Sequence, residues 1–290
     1  EMEMLKSGVI PAGLHNVVLG VWDFSRDISA TTVSDISPNR LHGETVNMPA
    51  RGMKGYNWTG EVMDWKHAPE QYGAIHFHED DLYDASWEVD FSLTVPANLK
   101  SGLYAARLRS GQEEDHIPFA VKPAKGKEKK IAFLLPTASY MAYANEHMAT
   151  NAGLVELVSG RLAPLDKNSL FLNEHREYGA SCYDSHSDGS GVCYSSRLRP
   201  ILNMRPKHIS ALGGDGSSIW QFNADTHITD WLEAMGYGFD VITDEDLHYE
   251  GLELLKPYHV ILTGTHPEYH SLEMWDAMKA YQNQGGRLMY

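Results

Sequence analysis

The sequence predicts a two-part protein: an all-β, sandwich-like region over residues 1–124, then an α/β domain with a parallel, flavodoxin-like sheet over 125–290. Short apolar runs bounded by turn residues recur up to about Pro123, with no helical period between them. A lysine-rich stretch at 122–130, holding Pro123 and Gly126, then breaks the pattern and reads as a solvated linker. Beyond it, strand-like runs alternate with helical ones, which implies right-handed βαβ crossovers and a parallel sheet.

In the first part, residues 17–24 alternate weakly and 72–78 make a short run of bulky side chains. Residues 89–95 alternate more cleanly, with Val89, Phe91, Leu93 and Val95 apolar, and Pro96 closes the run. Strands are expected again at 103–108 and 117–121. Such short strands at regular spacing favour a sandwich. Residues 47–64 are long and irregular and read as loops packed on something else.

In the second part, a strand at 131–135 stops at Pro136, and a helix is expected near 151–157. A polar insertion occupies about 168–206. A helix over 226–236 ends in Gly236, followed by a strand at 239–243 with Asp244 and Glu245 opening another helical turn. A strand at 259–263 precedes a helix at 271–283, where Leu272, Trp275, Met278 and Tyr281 recur at helical spacing. Gly285 and Gly286 stop that helix, and a strand begins at Arg287. Both termini read as cut, so the chain is expected to be a piece of a longer polypeptide.

Of 290 residues, 42% are hydrophobic and 22% charged, which suits a protein with a real core. A net charge of −15 argues against nucleic acid or an anionic membrane as partner, since both need a basic face. No apolar run approaches the roughly 20 residues of a spanning helix, and the N-terminus lacks a signal-peptide layout. The two cysteines, Cys182 and Cys193, are expected as reduced thiols in a cytoplasmic protein.

Two strand ends carry the chemistry. After 131–135 come Ser139, Tyr140, Tyr143, Asn145, Glu146 and His147; after 259–263 come Gly264, Thr265, His266, Pro267 and Glu268. In an open α/β sheet, ligands bind beyond the carboxyl ends of the strands. Against this, Glu268 could merely cap the next helix, and Tyr140 and Tyr143 could be amphipathic core residues. The insertion adds Tyr183, Tyr194, Cys182, Cys193 and His186, in a spacing that fits no structural-zinc pattern. A thiol nucleophile at Cys182 is a further option. In the β region, His76, His78, Glu79, Asp80 and Asp81 could hold a metal or simply form a solvated turn. Residues 212–218 are glycine-rich but lack a phosphate-loop lysine.

Several long strings give these segments a family resemblance. They include Leu41-His42-Gly43, the stretch from Trp58 to Asp84, Ser101 to Ala105, the Tyr140 to Asn145 loop, Ser181 to Pro200, and Gly264 to Tyr269. Together they resemble the large (beta) subunit of N,N-dimethylformamidase. The resemblance implies a β-sandwich joined to a domain like that of class I glutamine amidotransferases. It implies hydrolysis of dimethylformamide, or a similar small amide substrate, to amine and formate. It also implies a mononuclear iron, Fe3+, held by two tyrosines and a glutamate. Carried over, these are Glu268, Tyr143 from the first loop and Tyr183 from the insertion, with Tyr140 and Tyr194 as alternative ligands and His266 beside the centre as the proton carrier. A small subunit and self-association of the large one are implied by the same resemblance. So is a further site asparagine, expected just beyond residue 290. The competing class is a non-catalytic carbohydrate- or protein-binding module, with Trp58, Trp65 and Trp87 as a platform.

Overall fold

The computed structural model describes residues 9–150, 156–157, 160, 162–163, 165–213 and 219–290. Most of the helix expected near 151–157 and most of the glycine-rich stretch at 212–218 lie outside them.

The strands of the second part are β8 (Ile131–Leu135), β9 (Phe239–Thr243), β10 (Val260–Thr263) and β11 (Arg287–Met289). All pair in parallel, in the spatial order β9-β8-β10-β11. The interleaved helices are α1 (Thr137–Ala142), α2 (Lys167–Glu174), α3 (Phe222–Ala234), α4 (Asp244–Glu250), α5 (Leu252–Leu255) and α6 (Leu272–Asn283). Taken in sequence, these strands lie in the order 2-1-3-4, so the winding reverses between β8 and β10. In a doubly wound sheet that reversal opens the crevice where ligands sit.

β8 is apolar throughout because both its faces are covered. Ala132 and Leu134 join Ile242, Leu247, Leu255, Ile261, Met274 and Tyr281 in a core on one face. Phe133 and Leu135 join Tyr140, Phe222, Leu232, Phe239 and Val241 on the other. The inner stripe of α6 differs from the one expected. Met274, Ala277, Met278 and Tyr281 are buried, whereas Leu272 and Trp275 are 70% and 59% exposed. Both sets recur at helical spacing, and the core lies on the side that Met274 and Ala277 share with Tyr281. α3 also begins four residues earlier than expected, which brings Phe222 and Asp225 into the fold.

The first part departs from a sandwich. Its strands are β1 (Trp22–Asp23), β2 (Thr32–Asp35), β3 (Gly43–Glu44), β4 (Ala50–Met53), β5 (Ala74–His76), β6 (Gly102–Ser110) and β7 (Glu113–Val121). Among the described residues they form three small antiparallel sheets, β1-β2-β3, β4-β5 and β6-β7. Residues 89–95, expected as a strand, pair with nothing regular, and Val89, Phe91, Leu93 and Val95 all face solvent. No second layer of a sandwich is formed among the described residues. Buried Asp35 organises the first sheet instead, accepting hydrogen bonds from the backbone of Val21, Ser37 and Leu41 at 2.7–2.8 Å.

The β6-β7 hairpin docks on the α/β part. Leu103 and Ala120 pack against the Phe133 cluster. Ser101 Oγ accepts from Val241 N at 2.9 Å, satisfying an amide on the edge strand β9. Lys122, expected in a free linker, pairs with Asp246 and Glu250 on α4.

The start of α1 is fastened to the start of α4. Asp244 Oδ2 accepts from Ala138 N at 3.0 Å, and Thr137 Oγ1 accepts from Asp244 N at 3.1 Å. Burial pushes the Asp244 carboxyl up to about 7 despite the hydrogen bond from Ala138. Its folded value lies above the unfolded one, so the native state holds a proton that the unfolded chain has lost. Stability should therefore fall as pH rises from about 4 to 7. Asp244→Asn, which keeps the acceptor oxygen, should flatten that slope and stabilise the fold at pH 8 by up to about 4 kcal/mol. Melting curves of both proteins at pH 5 and pH 8 would show a gain that is clearly larger at the higher pH.

Candidate metal centre

Pro136 ends β8 and supplies the N-cap of α1, whose single long turn carries Tyr140 and leaves Tyr143 as its C-cap. From β10 the chain passes through Gly264 into the segment bearing His266 and Glu268. These two exits lie side by side because β8 and β10 are neighbours. Ser139 locks them together. Its fully buried Oγ accepts from Glu268 N at 2.8 Å and from Tyr269 N at 3.1 Å.

The side chains then converge on one atom. Tyr143 Oη donates to Glu268 Oε2 at 2.7 Å, and Tyr183 Oη donates to the same oxygen at 2.8 Å. His266 Nε2 lies 3.1 Å from it. The Tyr143 and Tyr183 rings stack with centroids 4.0 Å apart. Tyr183 Oη also lies 2.8 Å from Tyr269 Oη.

Burial is the largest influence on each ionisable oxygen here. It pushes both phenols above their ordinary range; the hydrogen bond to Glu268 reinforces the rise in each, joined by the charge of Glu268 at Tyr143 and by hydrogen bonds to Tyr143 and Tyr269 at Tyr183. Burial also works to raise Glu268, but the hydrogen bonds from Tyr143, Tyr183 and His266 outweigh it and hold the carboxyl low. The result is a carboxylate ringed by neutral phenols. One carboxylate oxygen offers about two lone pairs, yet three groups crowd this one.

Tyr183 reaches the centre from the insertion because a buried network pins its loop. Asp184 Oδ2 accepts from Ser181 N and Ser181 Oγ, both at 2.8 Å, and lies 3.0 Å from His147 Nδ1. Cys182 N donates to Ala142 O at 2.8 Å, next to Tyr143. Arg199, 3% exposed, donates to the carbonyls of Ala180 at 3.0 Å and Ala144 at 3.2 Å, stitching the insertion to the first loop. Asn145 turns that loop at φ +60°, a conformation asparagine tolerates. Its amide donates to Pro200 O at 2.6 Å. Asn145 and His147 thus serve as scaffold.

Four of the expected residues, Tyr143, Tyr183, His266 and Glu268, meet at this point. Tyr140 and Tyr194 do not. The Tyr140 hydroxyl donates to Asp225 inside the core, and Tyr194 lines a separate cavity with Asn47, Met48 and Asp81. The helix ends at Ala142 and Tyr143 follows as its C-cap, so the two hydroxyls find different partners. The cysteines stay apart from the centre. Burial pushes the Cys182 thiol up, opposite to what a nucleophile requires.

Sequence reasoning missed Trp220, Asp225 and Tyr269. The Trp220 ring lies 4.8 Å from His266 and 6.1 Å from Tyr143, walling the centre. Asp225, 1% exposed, accepts from Thr265 N at 2.5 Å and from the Tyr140 hydroxyl, so it holds both loops from beneath. Asp225 falls just ahead of the helix expected at 226–236. Only its position in the first turn of α3 reveals the role.

Residues 50–290 match the family described as "N,N-dimethylformamidase beta subunit-like, C-terminal". The chain belongs to that family. It is 46% identical over 279 residues to the N,N-dimethylformamidase beta subunit of Paracoccus aminophilus, and 45% identical over 279 residues to that of an Alcaligenes species. Each alignment covers 94% of this chain and 36% of the relative, so the chain spans about a third of the length of these dimethylformamidase subunits.

At Gly264 the loop bearing His266 and Glu268 packs directly on its support. A Cβ there would stand 2.3 Å from Asp225 Oδ2 and 2.7 Å from Pro136 Cγ. Gly264→Ala should therefore cost about 1–3 kcal/mol and displace Thr265 from Asp225. Denaturant midpoints would measure the loss, and an unchanged midpoint would contradict this packing.

Proposed function

We propose that this chain carries the active centre of an amidohydrolase. It would cleave the C–N bond of N,N-dimethylformamide, or a similar small N-substituted amide, to amine and formate. The observation that carries the reading is the meeting of two phenol oxygens and a histidine on one oxygen of Glu268, in a family named for dimethylformamidase subunits.

The donor set fits a small, hard cation. Phenolate and carboxylate are hard anionic oxygens. Such an ion bonds oxygen at about 2.0–2.1 Å, so ligand oxygens around it lie roughly 3 Å apart, close to the 2.7 and 2.8 Å seen here. Tyr143, Tyr183 and Glu268 would hold a mononuclear iron, in the ferric state. When bound, it would polarise the amide carbonyl and acidify a water.

The remaining work falls to the protein. His266, already within hydrogen-bonding distance of Glu268, would take a proton from the attacking water and return it to the leaving amine nitrogen, a task suited to imidazole near neutral pH. Trp220 would fix the His266 ring and narrow access for bulk water. Ser139 would hold the Glu268 backbone so that its carboxylate need not reorganise. These residues would sit on a class I glutamine amidotransferase-like scaffold, in a cytoplasmic enzyme whose large subunit self-associates and binds a small one. The beta-subunit names of the relatives support the second subunit.

In the full-length polypeptide, Tyr143→Phe, Tyr183→Phe and Glu268→Gln should each strip iron and abolish the phenolate-to-iron absorption band. His266→Asn should keep the metal but lower kcat for dimethylformamide by about 10²–10⁴-fold. Elemental analysis with steady-state kinetics separates the two classes. Full iron occupancy in both tyrosine variants would refute the assignment.

A further inference from the structure

A second constellation, away from Glu268, joins β5 to the insertion. His76 and His78 are two residues apart, and extended backbone sends such a pair to the same face. Their ring centroids are 4.0 Å apart. Asp188 reaches them from the insertion, its Oδ2 lying 2.9 Å from His76 Nε2 and 3.9 Å from His78 Nε2.

The hydrogen bonds around His78 single out its Nε2. The side chain is 3% exposed. Its Nδ1 lies 3.2 Å from Asp81 Oδ1, while its backbone N donates to Asp81 Oδ2 at 2.9 Å. A carboxylate at Nδ1 places the hydrogen there and leaves Nε2 as a bare lone pair in the neutral ring. Ser190 Oγ is 2.9 Å from Nε2, but its own hydrogen goes to Asp188 Oδ1 at 2.6 Å. In that tautomer the Nε2 lone pair faces an oxygen whose hydrogen is given to Asp188. Something positive belongs there.

We propose that His76 Nε2, His78 Nε2 and Asp188 Oδ2 form a three-ligand site for a divalent transition metal of the zinc type, with solvent completing the coordination. Two imidazoles and one carboxylate suit such an ion, in contrast to the all-oxygen set at Glu268. Bonds of about 2.0–2.1 Å in a tetrahedron set ligands roughly 3.4 Å apart, between the 2.9 and 3.9 Å observed. Asp81 behind His78 is the partner that orients a metal-bound imidazole.

The alternative set of His78, Asp81 and His186 serves less well. His78 and His186 stack face to face at 3.6 Å with planes 3° apart, so their lone pairs run parallel instead of meeting. His186 is also engaged with Asp80 at 2.6 Å. It walls the site. Neither cysteine takes part. An ion here would tie β5 to the insertion five residues beyond Tyr183, steadying the loop that carries that tyrosine.

The test uses the full chain with Glu268→Gln as background, stripped by chelator and titrated with Co2+. One equivalent should bind, with the visible bands of four-coordinate cobalt, and Zn2+ should displace it. His76→Ala and Asp188→Asn should each weaken binding at least about 100-fold, and Asp81→Asn about 10- to 100-fold. The His76 and Asp188 side chains are 38% and 44% exposed, so both variants should fold, and matching melting temperatures without metal would show it. Failure to bind cobalt, or binding unchanged in both ligand variants, would overturn the proposal.

Discussion

Parallel pairing of β8 with β10, in the register Ile131 to Val260, is the constraint on which the centre depends. Parallel neighbours leave the sheet at the same edge, so the segments after Leu135 and after Thr263 must share one space. Polar groups buried there need partners, because each orphan costs about 1–3 kcal/mol. Ser139 and Asp225 meet that need. One accepts two amides of the Glu268 loop, and the other accepts the Thr265 amide together with the Tyr140 hydroxyl. A backbone fixed in this way sets the aim of Glu268.

The two phenols arrive by different means. Tyr143 belongs to the sheet edge itself, one residue past a helix whose start is clamped by Asp244. Tyr183 lies on a loop without regular structure, so its position rests on Asp184, His147 and Arg199. Arg199 is notable for what it lacks: its buried guanidinium is met by carbonyls and a serine hydroxyl. Burial accordingly lowers it to about 10, the direction expected when charge is desolvated. Carbonyl dipoles from several turns make it a hub for the insertion.

Legibility in the sequence tracked the range of the forces involved. β8 and β9 match the expected bounds, since a strand buried on both faces must be apolar over its whole length. The crevice position of Glu268 and His266 comes from strand order, which alternating βα units imply. Contacts distant along the chain set the features that stayed hidden. Val89 to Val95 carries a strand pattern, yet a strand needs a neighbour, and none is present among the described residues. The stripe on α6 was misread because Leu272 and Trp275 are apolar without being inward. Asp225 and Trp220 acquire meaning only once α3 is laid against the β8 and β10 exits.

The phenols also explain why two tyrosines, and not two carboxylates, flank Glu268. Three carboxylates this close would repel one another by several kcal/mol in a partly buried site, and the empty centre would splay open. Neutral phenols instead donate to the one charged member and set its oxygen at the middle of the group. Each phenol can yield its proton to become an anionic ligand of the same shape. The group is thus held in place by hydrogen bonds that bring two phenol oxygens and an imidazole within 2.7–3.1 Å of one carboxylate oxygen.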